Sequence, residues 1–160
     1  MPDRVLMDWQ RAARTGLDEA VYCPGKQPAQ LAEVLRQAAA EQRRLLFTRL
    51  TPEGLKALPE EWQARLDHDP VSQTALFGEQ PAIDDAGAEV AILTGGASDL
   101  PAAAEAQRTL HYYGVPVRAY ADVGVAGLWR VLAVAEELKS LKVAIVVAGM
   151  EGHCSPSSPD

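Results

Sequence analysis

From Val90 onward, continuous apolar runs of strand length alternate with longer segments of helical period. "EVAILT", "PVRAYA" and "KVAIVVAG" are the runs; "SDLPAAAEAQRTLHYYG", closed by Gly114, and "VAGLWRVLAVAEELKS" lie between them. Short strands apolar on both faces belong to a parallel sheet covered by helices on each side, joined by right-handed crossovers. The pattern therefore predicts a doubly wound parallel β-α-β-α-β sheet in an α/β chain.

Before that block the periods are shorter and less regular. A helix is expected around Asp8 to Thr15, then a turn at "YCPGK", Tyr22 to Lys26. In "PAQLAEVLRQAAAEQRR" the residues Leu31, Val34, Leu35 and Ala38 recur at helical spacing behind Pro28. "LLFTRL" reads as a strand, and "TPEGLKALPEEWQARL" as one helix with Thr51 as cap and Pro52 at its first position. The order helix, helix, strand, helix makes a small α/β N-terminal domain. From His68 to Ala88 the chain turns polar, which reads as a strand or hairpin remnant and then a linker. The expected division is 1–84 for the N-terminal domain and linker, 85–152 for the doubly wound domain, and 153–160 for a disordered tail.

Composition narrows the partners. The chain has 160 residues, 48% of them hydrophobic, enough for a buried core. Its 22 acidic and 15 basic residues give a net charge of -7, and its longest basic block is the pair Arg43-Arg44. Long nucleic acid and anionic membranes are thus poor partners, whereas a small anion in a local pocket is not excluded. The amino terminus has no signal-peptide pattern and no apolar run reaches membrane-spanning length, so the expected address is cytoplasmic. Cys23 and Cys154 fit neither a disulfide framework nor a zinc site.

Ligands of doubly wound sheets bind beyond the carboxyl ends of the strands. Those ends read "TGGASD", "ADVGVAG" and "AGMEG". Gly95 and Gly96 let backbone approach a ligand, and Ser98 or Asp99 can cap the next helix, whose free N–H groups favour a phosphate. Gly124, Gly127, Gly149 and Gly152 extend this glycine-rich edge. The spacing matches neither GxGxxG nor the Walker pattern, which disfavours a dehydrogenase or a kinase. Glu151 is the candidate acid or base, with a helix cap as its structural alternative. Asp122 is open to metal or ribose binding or to capping. His111 reads as a complement to a helix C-terminus and His68 as linker. Arg11, Arg14 and Lys26 either line an anion site or are simply solvated, and Cys23 reads as a packed turn residue.

The segment "GGASDLPAAAEAQRTLHYYGVPV" resembles the opening of the aminoimidazole-ribonucleotide carboxylase family. "RAARTGLDEAVYCPGK", "DPVSQT", "ADVGVAGLWR" and "VVAGMEG", in that order, are similar to the LarB family, the nickel-pincer-nucleotide biosynthesis carboxylase/hydrolase, over Arg4 to Gly152. That resemblance implies an N-terminal domain joined to a carboxylase-like fold acting on nicotinic acid adenine dinucleotide. Carbon dioxide is added at C5 of the pyridinium ring and the phosphoanhydride is cleaved to release AMP. It also implies a cysteine nucleophile, with Mg²⁺ as cofactor and carbon dioxide as co-substrate, in a homo-oligomer. After "VVAGMEG" the chain reads "HCSPSSPD", where the family continues with further strands and its cysteine. The expectation is a chain inactive through loss of that segment, with Cys154 not the nucleophile; the alternative is a non-catalytic nucleotide-binding or interaction module.

Overall fold

In the computed structural model the described residues are 5–124 and 127–149. The chain divides into two compact units between Gln80 and Pro81. Among the described residues no helix is long and apolar enough to cross a membrane.

The first unit runs α1 (Arg11–Thr15), β1 (Val21–Tyr22), α2 (Pro28–Ala40), β2 (Leu45–Thr48), α3 (Pro52–Lys56), α4 (Glu60–Gln63), β3 (Leu66–Asp69) and β4 (Thr74–Phe77). Its four strands lie in the order β1-β2-β4-β3, with β1 parallel to β2 and the other neighbours antiparallel. The periodic residues Leu31, Val34, Leu35 and Ala38 are all buried and pack with Leu45, Phe47, Trp62, Ala75 and Phe77. Each leucine or valine removed from water contributes about 1.5 to 3 kcal/mol, so this face of α2 fixes the helix to the sheet.

Several boundaries differ from expectation. β1 was not foreseen, because two residues between turns carry no readable period. α2 stops at Ala40: Gln42 takes a left-handed φ of 51° and the Arg43 N–H reaches back to the Ala38 carbonyl at 2.8 Å. The expected single helix from Thr51 is two short ones. Thr51 does cap the first, its Oγ1 accepting from the Gly54 N–H at 3.1 Å, but Pro59 breaks the run by lacking the N–H a continuing helix needs. The polar stretch after Leu66 holds a true hairpin, so His68 belongs to β3 and not to a linker. Its Nε2 lies 2.8 Å from the Leu50 carbonyl.

The second unit is the doubly wound block. It runs β5 (Val90–Thr94), α5 (Leu100–Tyr112), β6 (Val117–Tyr120), α6 (Leu128–Leu138) and β7 (Val143–Val147), and the parallel sheet has the order β6-β5-β7. The central β5 explains both layers. Ala91 and Leu93 point to one face and pack with Val131, Val134 and Leu138 of α6. Ile92 points to the other, against Ala103, Ala106 and Leu110 of α5. A strand sandwiched in this way is apolar along its covered length, as Val90 to Leu93 are, and the one buried polar residue, Thr94 at its carboxyl end, has its hydroxyl hydrogen-bonded.

Candidate functional site

The carboxyl ends of the three strands are tied together by the backbone and two side chains. The Gly95 N–H donates to the Val147 carbonyl at 3.0 Å, which closes β5 onto β7. Buried Thr94 does the same toward β6. Its Oγ1 accepts from the Asp122 N–H at 3.0 Å and its carbonyl accepts from the Val123 N–H at 2.9 Å.

Asp99 spans the remaining gap. One carboxylate oxygen accepts from the Gly96 N–H at 3.0 Å and the other from the Gly149 N–H at 3.0 Å. β5 leads to α5 on one face and β6, on β5's other side, leads through α6 to β7, so this bridge lies where the chain connections diverge, the place where such sheets bind ligands. Asp99 is held by these bonds at the start of α5 and Ser98 is exposed beside it in the turn Ala97–Asp99.

The glycines of this edge differ in what they do. A Cβ on Gly124 would lie 2.5 Å from the Gly95 carbonyl oxygen, so the β5 and β6 turns touch only because no side chain intervenes. Gly96 is extended, with φ of -161°, and a Cβ there would meet nothing within 4 Å. Its glycine leaves open space instead of satisfying the fold.

Asp122 adopts a left-handed φ of 57°, unusual for a residue with a Cβ. Arg130, in the first turn of α6, holds it there: the guanidinium pairs with the Asp122 carboxylate and also donates to the Asp122 carbonyl at 3.1 Å. Gly127 makes room for this, since a Cβ would come within 2.9 Å of the Arg130 Nε. Arg130 and Thr94 were missed in the sequence. The signal for Arg130 was an arginine at the start of a helix that follows a strand-end glycine loop, where the helix dipole alone would not favour a cation.

The strand-end candidates Gly95, Gly96, Ser98, Asp99, Asp122, Gly124, Gly127 and Gly149 thus share one edge, whereas Glu151, Gly152 and Cys154 lie outside the described residues. His111 is at the opposite end of the sheet. Its Nε2 is 3.1 Å from the Asp85 carboxylate, the same oxygen that accepts from the Val117 N–H at 2.8 Å where β6 begins. Arg14 pairs with Asp8, and Lys26 Nζ donates to the Tyr22 carbonyl at 2.6 Å, so both serve their local turns. Arg11 is exposed.

Cys23 is buried, and burial pushes its thiol up to about 11. Burial therefore favours the protonated thiol over the thiolate near neutrality. Among the described residues no three histidine, cysteine, aspartate or glutamate side chains converge as metal ligands. Asp99 accepts from two backbone N–H groups and Asp122 pairs with Arg130.

A parallel sheet wound on both faces, with a glycine-lined carboxyl edge, defines a doubly wound α/β protein. Residues 3–79 match the LarB/PurE-like N-terminal domain family. The match covers the first unit, which is a LarB/PurE-like N-terminal domain. An uncharacterized protein of Methanocaldococcus jannaschii is 31% identical over 159 residues, covering 94% of this chain and 61% of that relative. The chain thus spans about three fifths of the length of that relative.

Proposed function

We propose that the carboxyl edge of the second unit is a nucleotide site and that the chain serves the carboxylation of nicotinic acid adenine dinucleotide with release of AMP. The observation that favours this reading is the joined strand ends, where Asp99 ties the Gly96 and Gly149 turns beside open space at Gly96. Arg130 is the cation of this edge suited to a phosphate, once it exchanges Asp122 for the ligand.

The chemistry can be written from the substrate. A pyridinium ring is too electron-poor to attack carbon dioxide, so a thiolate first adds to the ring and makes it enamine-like. The ring carbon then forms its bond to carbon dioxide, a base takes the ring proton, and the thiolate leaves to restore aromaticity. Water cleaves the phosphoanhydride, giving AMP and the dicarboxylated mononucleotide. Cys23, buried with its pKa raised, is poorly suited to be that thiolate. On the same reading copies of the chain meet through α6, where Leu128, Trp129 and Leu132 stand 59%, 71% and 63% exposed.

The test combines calorimetry with nicotinic acid mononucleotide and incubation of the chain with the dinucleotide, bicarbonate and Mg²⁺, read by mass spectrometry. AMP together with the carboxylated mononucleotide supports the full reading, and loss of both in Cys154→Ser would assign the thiolate. Binding without product reduces the chain to a nucleotide-binding module. No binding overturns the proposal.

A further inference from the structure

A groove of about 690 Å³ opens on the first unit beside the carboxyl end of α2, and Gln42, Arg43, Arg44, Arg65, Gly78 and Glu79 are among the residues lining it. Three arginines against one glutamate leave it positive, in a chain whose net charge is -7. Arg44 has the Asp18 carboxylate 3.9 Å away. Arg43 and Arg65 make no ion pair or side-chain hydrogen bond among the described residues, although the unit is rich in carboxylates.

Arg65 is nevertheless held in place. Its guanidinium lies 5.0 Å from the Trp62 ring centroid and 4.9 Å from that of Phe77. Those rings are buried and meet edge to face at 6.1 Å, so the cation rests on a fixed aromatic platform. Its N–H donors lack acceptors while its motion is already restricted, which lowers the entropic cost of meeting a ligand. The floor beside it is bare backbone at Gly78. That residue has φ of 82°, and a Cβ there would press to 3.1 Å from the Arg44 Cα.

We propose that this groove binds the phosphoryl group of a small molecule, independently of the carboxyl edge of the second unit. One arginine suffices to match a carboxylate with a two-pronged bond. Two unpaired guanidiniums around one groove match a dianion presenting three or more oxygens, which is the chemistry of a phosphate. The source is either free pyrophosphate or a phosphate ester such as AMP.

The full chain is treated with an arginine-directed dicarbonyl reagent at low ionic strength, with and without pyrophosphate, and the modified peptides are quantified by mass spectrometry. Pyrophosphate is expected to slow modification of Arg43 and Arg65 about tenfold, as two charge-assisted bonds would. Arg36, exposed and paired with Glu33, serves as the control and keeps its rate. Arg43→Ala, at an exposed position, should weaken pyrophosphate binding in calorimetry about tenfold and leave the melting temperature unchanged. Ser98→Ala should leave the protection of both arginines intact. Equal protection by AMP assigns the groove to esters, and protection by pyrophosphate alone assigns it to the free anion. Unchanged modification rates, unchanged affinity in Arg43→Ala, or protection that disappears in Ser98→Ala would each overturn the proposal.

Discussion

The carboxylate of Asp99 accepts a hydrogen bond at 3.0 Å from the backbone N–H of Gly149, a residue at the end of a different strand. The same carboxylate accepts from Gly96, so a single side chain fastens two strand-end turns. Asp99→Ala is expected to cost about 1 to 2 kcal/mol, the usual loss for hydrogen bonds to a charged acceptor at a partly exposed position. Asp99→Asn keeps one acceptor oxygen and should lose about half as much. Amide exchange at Gly149 checks the mechanism directly: it should quicken in both variants, and most in Asp99→Ala. Unaltered exchange there would mean that the bridge does not hold the turn.

Gly124 and Gly96 should respond in opposite ways to alanine. At Gly124 the new Cβ meets the Gly95 carbonyl oxygen at 2.5 Å, and backbone cannot step aside cheaply. A loss of about 1 to 3 kcal/mol is expected, as for other overpacked sites. At Gly96 the Cβ enters open space from an extended backbone that any residue adopts, so the melting temperature should hold. Mononucleotide affinity should fall in Gly96→Ala, because the added methyl fills the space through which the ligand approaches. Thermal melts and calorimetry on the two variants separate the structural turn from the binding one.

The second unit was legible because the strands of a helix-covered parallel sheet read as short continuous apolar runs, and Val90 to Leu93 and "VAIVV" are such runs. The strand-end positions followed from topology. What was hidden depends on geometry that no spacing encodes. Asp99 is an ordinary helix-cap residue in the sequence, and its reach to Gly149 depends on β5 and β7 being neighbours. Arg130 looks like a surface residue of α6 until the left-handed turn at Asp122 brings a carboxylate and a carbonyl beneath it. In the first unit, the split at Pro59 was readable as a helix breaker, but the apolar spacing on either side masked it.

Cys23 makes the stability of the first unit sensitive to alkaline pH. Burial raises its pKa from the ordinary 9 to about 11. A raised acidic group stabilises the fold fully below the unfolded value, and that contribution is lost as pH climbs from 9 to 11, where the unfolded chain releases the proton first. Two pKa units correspond to about 2 to 3 kcal/mol by pH 11, and Cys23→Ala should flatten that slope. Alkylation at pH 8 gives a second measure. The native thiol should react about 100-fold more slowly than the same thiol in urea, because its thiolate fraction is that much smaller. Equal rates in the two states would contradict the burial argument.

Arg130 offers the sharpest test of the nucleotide site, because its partner makes an opposite prediction. The guanidinium is 38% exposed and pairs with an Asp122 side chain that is 59% exposed, so the pair contributes little to stability and either residue can be changed without unfolding the unit. If Arg130 receives the phosphate, Arg130→Ala should weaken nicotinic acid mononucleotide binding about tenfold, with Arg130→Lys intermediate because it keeps the charge but loses the forked donors. Gly127→Ala should weaken it too, since its Cβ displaces the Arg130 Nε, a flexible group that moves at small cost. Asp122→Asn removes the competing carboxylate and should tighten binding. If Asp122 instead held a ribose hydroxyl, the same change would loosen it. Calorimetry on these four variants therefore decides between a masked cation that the ligand uncovers and a carboxylate that the ligand uses, and an affinity unmoved by Arg130→Ala would exclude the first.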